Sequence, residues 1–409
     1  MLKINFQRLK NDIQSLSHIG QKADHGIYRM AFTQGDLEAR DWLKEQIKEA
    51  RLDYYLDGAA NLHARLQWDD KVPSVMTGSH IDTVPGAGHL DGALGVLAGL
   101  EALRVLKEQN IKLQRPVELV SFSDEEGYYG GMLGSQAMSG QLSPADIYQA
   151  KNSQDELLTD KMADIGLDAE NVLNAERKKG SIHSFIELHI EQGPVLDHSD
   201  SSIGIVEAIT GLFRWQCSFI GTANHSGTTP MDMRQDAFQG LTEFSSSLNR
   251  ILEEHGSAHS VATIGRVELH PGAPNVVPGQ ADFTLEIRDT DDTILDQLRE
   301  ALRRTASSIA RRRHLMFDFI ESSTIHPVTS NPAIVQSIKD NAKALDYKYQ
   351  SMHSGAAHDT QMIATIAPAA MIFIPSKDGR SHSPHEWTAW EDIERGANTL
   401  LNTLYQLAS

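Results

Sequence analysis

The sequence predicts an α/β fold in which a domain built on a central, mostly parallel sheet is interrupted by an inserted βαββαβ unit. A strand, helix, strand pattern runs from Ser74 to Gly78, Gly92 to Lys107 and Val117 to Phe122, the mark of a crossover joining parallel strands. From Phe213 to about Ser323 the order becomes strand, helix, strand, strand, helix, strand, which is the ferredoxin-like, split-βαβ order. The first pattern then returns. The small unit is therefore inserted, with one domain at 1–211 and 325–409 and the other at 212–324.

Taken in order, residues 3–16 and 37–50 have amphipathic helical spacing. The helix after Gly92 places Leu94, Val96, Leu97, Leu100, Leu103 and Leu106 near enough to helical spacing for one buried face. Residues 141–181 are polar and mostly helical in pattern, an insertion ahead of the strand Phe185 to Ile190. In the inserted unit, strands fall at 213–220, 260–268, 281–288 and 314–320, with helices at 233–254 and 292–312. A helix at 331–345, the loop Gly355-Ala356-Ala357-His358-Asp359, a strand at 369–374 and a helix at 390–407 complete the chain.

Composition excludes several classes of function. With 409 residues, 40% of them hydrophobic, the chain can bury a large core and form two domains. A net charge of −18 argues against nucleic acid or an anionic membrane as partner. No stretch is long enough to span a bilayer, and the start, Met1-Leu2-Lys3-Ile4, lacks the apolar run of a signal peptide, so cytoplasmic residence is expected. Cys217 is the only cysteine, which excludes an intrachain disulfide and a cysteine-based zinc site.

The chemistry concentrates where apolar runs end. Gly78-Ser79-His80-Ile81-Asp82 with Asp91-Gly92, Asp124-Glu125-Glu126, Glu187-Leu188-His189 and Ser381-His382-Ser383-Pro384-His385-Glu386 each bring imidazole, carboxylate or both. In open parallel sheets, ligands sit beyond the carboxyl ends of strands, where His80 and Asp124-Glu125-Glu126 fall. Two adjacent divalent ions need a bridging carboxylate, further His and carboxylate ligands, and an open position for water. The expected set is His80, Asp91 and His189 on one ion and Asp91, Glu126 and His382 on the other, with Asp91 bridging. Zn²⁺ stands first, with Mn²⁺, Co²⁺ or Ni²⁺ as alternatives for such a donor set. Asp82, two residues from His80, is expected to fix its tautomer, and Glu125, beside a ligand but not itself one, to act as the base. His183 and His385 are left out as structural histidines.

These motifs, with Glu187-Leu188-His189-Ile190-Glu191-Gln192-Gly193-Pro194 the most diagnostic, resemble the dinuclear-metal amidohydrolases of the M20 peptidase superfamily. Within it they are most similar to the N-carbamoyl-L-amino acid hydrolase, β-ureidopropionase and allantoate amidohydrolase branch. The resemblance covers nearly the whole chain. It implies two divalent ions per subunit, a homodimer, and a role for the inserted unit as lid and dimerisation domain. It further implies hydrolysis of the ureido C–N bond of an N-carbamoyl amino acid or a similar small ureido carboxylate, including N-carbamoyl-β-alanine, allantoate and ureidoglycolate. On this resemblance His225 polarises the scissile carbonyl, from the partner subunit, while Gln192, Asn275 and Arg288 bind substrate, the last two holding its carboxylate. A metallo-dipeptidase or deacylase and a catalytically silent binding protein are the competing readings. Tyr128-Tyr129 stand where the branch often has an Arg-Phe type of pair, and they either reshape the pocket or pack against the 141–181 insertion.

Overall fold

A computed structural model describes all 409 residues, which divide into two compact units, 1–207 with 330–409 and 208–329. The larger begins with α1 (Phe6–Ser17) and α2 (Gln34–Glu49), then a hairpin of β1 (Asp53–Leu56) and β2 (Leu62–Leu66). The crossover follows as β3 (Ser74–His80), α3 (Ala93–Glu108) and β4 (Val117–Phe122). α4 (Leu133–Met138) precedes the polar insertion, which folds into α5 (Pro144–Gln149), α6 (Leu158–Asp164) and a 3₁₀ turn at Ala169–Ala175, before β5 (Ile182–Ile190) and β6 (Ile203–Ile209).

The second unit comprises β7 (Gly211–Ile220), β8 (Asn224–His225), α7 (Ala237–His255), β9 (Val261–Thr263), β10 (Val267–His270), β11 (Val276–Val277), β12 (Gln280–Asp289), α8 (Asp292–Arg312), β13 (Met316–Ile325) and β14 (Val328–Thr329). Its sheet runs β10-β12-β7-β13 with β9 also on β12, and β8 and β11 form a separate two-stranded ribbon. The pairings in this sheet are antiparallel, and the order matches the ferredoxin-like arrangement. Phe213, Trp215, Cys217 and Phe219 alternate inward on β7, as do Ala281, Phe283, Leu285 and Ile287 on β12, to meet the apolar stripes of α7 and α8. Two expectations need correction here. The helix expected from 233 starts at Ala237 because Asp236 caps it, accepting from the backbone N–H of Phe238 and Gln239. The strand expected over 260–268 is broken into β9 and β10, with Gly265 in the gap, where a residue without a side chain weakens the ladder.

The chain then returns as α9 (Pro332–Ala344), β15 (Tyr349–Ser354), α10 (Asp359–Ile363), β16 (Ala369–Ile374) and α11 (Trp390–Ala408). The large sheet has the order β1-β2-β4-β3-β5-β16-β6-β14, with β15 also paired to β6. Its centre, β4-β3-β5-β16, is parallel and its flanks are antiparallel. Alternate residues of these strands enter different cores. Val75, Leu119, Ile186, Leu188 and Ile372 pack with α1, α3, α9 and α11, whereas Met76, Phe122, Phe185 and Ala369 pack with Met138 of α4 and Ile363 of α10. Because side chains repeat every two residues, His80 lies on the Met76 face of β3, and Glu187 and His189 lie on the Phe185 face of β5. No helix is long and apolar enough to cross a membrane.

Candidate metal centre

All four parallel strands end at one place. His80 closes β3, Asp124-Glu125-Glu126 follows β4, His189 stands one residue before the end of β5, and the loop carrying His382 follows β16. Asp91 enters just ahead of α3, whose N-terminal dipole favours a carboxylate. Gly92 has φ +63°, and a Cβ there would stand 2.4 Å from the His80 ring, so only glycine admits the approach of Asp91 to His80.

Four groups of His and carboxylate side chains converge closely enough to hold an ion: the expected sets His80, Asp91 and His189, and Asp91, Glu126 and His382, together with Glu187, His189 and His358, and His80, Glu125 and Glu126. Asp91 belongs to both expected sets. Its Oδ1 is 3.1 Å from His189 Nε2 and 3.7 Å from His80 Nε2, while its Oδ2 is 3.2 Å from His382 Nε2. Glu126 Oε1 is 3.5 Å from His382 Nε2, and Glu125 Oε2 is 3.4 Å from His80 Nε2.

Both buried histidines are held in the tautomer a ligand needs. His80 Nδ1 donates to the Asp82 carbonyl at 3.1 Å and His189 Nδ1 to the Ile190 carbonyl at 2.8 Å, which leaves each Nε2 facing Asp91. This corrects the role expected for the Asp82 carboxylate. It stands 3.8 Å from the His80 ring and instead accepts from the backbone N–H of Glu126 at 3.1 Å and of Glu125 at 3.4 Å.

The donor set fits divalent cations on its electrostatics. Burial raises Glu125 and Glu126 well above the usual carboxylate range, and neighbouring carboxylates add to the rise. Burial also lifts Asp82 and Glu386 to about 7. His80 is pushed down to about 4 by burial, whereas in His189 burial is outweighed by the bond to Asp91, which lifts it to about 9. Glu126 Oε1 is buried without a hydrogen-bond donor. Cations at the two sets would satisfy that oxygen and offset the carboxylate repulsion.

A supporting layer escaped the sequence reading. Glu386 accepts from the backbone N–H of Leu90 at 2.9 Å and of Asp91 at 3.1 Å, and from the Ser381 hydroxyl at 3.0 Å. Glu187 accepts from Ser79 Oγ at 2.7 Å and from Thr360 Oγ1 and N–H at 2.5 and 3.1 Å. Asp124, at φ +51°, gathers the N–H groups of Tyr128, Tyr129 and Gly130 and closes the turn that carries Glu125 and Glu126. His358 packs edge-on against His189 with ring centroids 4.6 Å apart. Glu386, Glu187 and Asp124 stand inside the motifs themselves and His358 in the loop at 355–359, but the sequence carried no sign of what they would bond to.

Gln192, at φ +58°, donates to Asp91 Oδ2 at 2.7 Å, and its buried Oε1 lacks a donor. Tyr128 and Tyr129 pack on the insertion. Tyr129 is buried and bonds Glu156 at 3.0 Å, and the Tyr128 hydroxyl bonds Gln154 at 3.2 Å.

The remaining candidates belong to the second unit. The β8–β11 ribbon joins two of them, because His225 pairs with Val276 and Ser226 N–H donates to the Asn275 carbonyl at 2.9 Å. His225 Nδ1 accepts from the N–H groups of Gly227 and Thr228 at 3.1 and 3.2 Å, which places the ring proton on Nε2. Arg288 lies on β12, and its Nε donates to Glu286 at 2.9 Å. Asp289 is occupied elsewhere, by Ser257 and Ser260.

Residues 76–406 match the sequence profile of Peptidase family M20/M25/M40. The chain is 35% identical over 408 residues to an N-carbamoyl-L-amino acid amidohydrolase of Geobacillus stearothermophilus, covering 99% of each chain. It is 34% identical over 405 residues to the allantoate amidohydrolase of Escherichia coli strain K12, covering 98% of each. The crystal structure of a hydantoinase/carbamoylase family amidase from Burkholderia multivorans superposes with a TM-score of 0.90 at 33% identity, over 99% of this chain and 98% of that one. The chain belongs to peptidase family M20/M25/M40, in the branch that holds the carbamoyl amino acid and allantoate amidohydrolases.

Proposed function

We propose that this chain is a dinuclear-metal amidohydrolase that cuts the ureido C–N bond of an N-carbamoyl-L-amino acid or a similar small ureido carboxylate. The observation that carries the reading is the two-sided Asp91 carboxylate, with Oδ1 toward His189 and Oδ2 toward His382, and Glu125 3.4 Å from His80. His80, Asp91 and His189 would hold one ion and Asp91, Glu126 and His382 the other, with Zn²⁺ first and Mn²⁺, Co²⁺ or Ni²⁺ as alternatives. When bound, such ions supply Lewis-acid polarisation of the carbonyl and a more acidic water.

The protein's own groups do the rest. Glu125, whose burial raises its proton affinity, takes a proton from the attacking water. Oxygen adds to the ureido carbon, the bond to the amino acid nitrogen breaks, and Glu125 returns the proton to that nitrogen. The products are the free amino acid and carbamic acid, which falls apart to CO₂ and ammonia. His225, protonated on Nε2, donates to the oxyanion from the partner subunit of a homodimer. Gln192 orients the ureido group. Asn275 and Arg288 hold the substrate carboxylate, Arg288 being oriented by Glu286, and the second unit acts as lid and dimerisation domain. The net charge of −18 fits a cytoplasmic enzyme of small molecules, without nucleic acid or membrane as partner.

The test is a substrate panel on the metal-loaded protein. Ammonia release from N-carbamoyl-L-amino acids, N-carbamoyl-β-alanine, allantoate and ureidoglycolate is compared with amino acid release from dipeptides, under each of the four metals. Turnover of dipeptides alone would overturn the reading. Arg288→Ala should raise KM about tenfold or more with little change in kcat, and an unchanged KM would exclude carboxylate capture by this side chain.

A further inference from the structure

Arg29 is fully buried, yet no carboxylate is bonded to its guanidinium. A cation in that condition is costly unless its surroundings compensate it. Its Nε donates to the Ile81 carbonyl at 2.8 Å, and its Nη1 donates to the carbonyls of Leu16 and Ile19, at and just beyond the end of α1, at 3.2 and 3.3 Å. Its backbone closes on the same segment. Arg29 N–H donates to Thr83 Oγ1 at 3.0 Å and Thr83 N–H to the Arg29 carbonyl at 3.1 Å. The carboxylates that act on it through space are Asp36, Asp82 and Glu386, which keep it charged although burial lowers it to about 10.

Ile81, the residue Arg29 grips, lies between His80 and Asp82. The Asp82 carbonyl fixes the His80 tautomer, and the Asp82 carboxylate carries the backbone of Glu125 and Glu126. Asp82 and Glu386, two of the three carboxylates facing Arg29, are the groups that grip the Glu125–Glu126 turn and the Asp91 backbone. We propose that Arg29 is a positioning residue for the metal centre, a buried cation that sets the His80–Asp82 segment and through it the placement of both His80 and the Glu125–Glu126 pair. The proposal rests on the reading of His80, Asp91 and Glu126 as metal ligands. A residue that merely anchored α1 would need neither the Ile81 carbonyl nor a full charge facing Asp82 and Glu386.

The experiment uses the full-length chain and three variants, Arg29→Met, Arg29→Lys and Arg29→Ala. Calorimetric titration of the metal-stripped proteins with Zn²⁺, without substrate, should show affinity weakened about 10- to 100-fold in Arg29→Met. Turnover per folded molecule should fall about 100-fold, since a misplacement near 1 Å costs that much, with KM within a few-fold of wild type. In Arg29→Ala, added guanidinium should restore part of the Zn²⁺ affinity and urea, of the same shape but neutral, should not. If Arg29→Met fails to fold, Arg29→Lys carries the measurement, because an ammonium keeps the charge but cannot span the carbonyls of Ile81 and of α1 together. A folded variant with wild-type Zn²⁺ affinity and kcat, altered only in thermal midpoint, would overturn the proposal. Absence of Zn²⁺ binding by the wild-type protein would instead overturn the metal-centre reading.

Discussion

Buried imidazole stands among carboxylates at both ends of the β3–β4 pair, His63 of β2 beside Glu118 of β4 at one end and His80 and His189 at the other, and the two groups are built on opposite principles. At the end where these strands begin, His63 Nδ1 lies 3.1 Å from Glu118, and its Nε2 lies 3.4 Å from Asp57. Arg177 stands 3.2 Å and Arg65 3.5 Å from the same Glu118, Ser74 Oγ donates to it at 3.1 Å, and Tyr55 stacks on the imidazole. Every charge there has a partner within the protein. Burial alone would raise Glu118, but His63 and the two arginines hold it well below the usual carboxylate range. At the carboxyl end, His80 and His189 turn their Nε2 atoms toward acids that no bonded arginine neutralises, and Glu125 and Glu126 are driven upward. A buried imidazole between carboxylates is therefore no sign of function in itself. What marks a site is charge left unbalanced, with donor atoms turned to one point.

The largest effect that sharpens this contrast is expected at Glu125. Glu125→Gln should keep two metal ions by elemental analysis yet lose about 10²–10⁴-fold in kcat, and near-wild-type turnover would remove Glu125 from the reaction. His63→Gln should do the converse. Chemical denaturation should report a loss of about 3 kcal/mol, the low end for a broken buried pair because Arg177 and Arg65 still serve Glu118, while kcat per folded molecule stays unchanged.

The pH dependence of that loss has a defined sign. Burial lowers the affinity of His63 for its proton, but the bonds to Asp57 and Glu118 outweigh it, so its folded value lies above 6.5. The stabilisation is then fully present below 6.5 and fades as pH rises through the folded value. The stability gap between wild type and His63→Gln should narrow from pH 6 toward alkaline pH, and a gap that widens would contradict the assignment. The smallest effect is expected at Tyr129→Phe, which removes the hydroxyl bonded to Glu156. About 1 kcal/mol of stability should go with unchanged kcat/KM, whereas a shift in substrate preference would return this tyrosine to the pocket.

Much of this was legible in the sequence because it rests on periodicity and on motifs confined to a few neighbours. The parallel strands that end in polar residues, the ferredoxin-like order and the converging His80, Asp91, Glu126, His189 and His382 all have local signatures. The short β1–β2 hairpin, β6 and β15 lacked a pattern strong enough to call. What could not be read is which partners the surrounding residues bond to. Glu386 reaches Leu90 and Asp91 across almost 300 residues of chain, and Arg29 reaches Ile81 from a loop with no motif. Asp82 shows the same limit at short range, since spacing placed it beside His80 but could not say whether its carbonyl or its carboxylate would face the ring.

Gly92 carries this one step further. It has no side chain, takes no part in acid–base chemistry and offers no ligand, yet a single carbon added there would collide with the His80 imidazole. A map of tolerated substitutions along this chain would therefore rank position 92 among the residues that do the chemistry, and comparing such a map with the list of functional groups would leave an intolerant position that no reactivity explains. Its contribution is the space it leaves open.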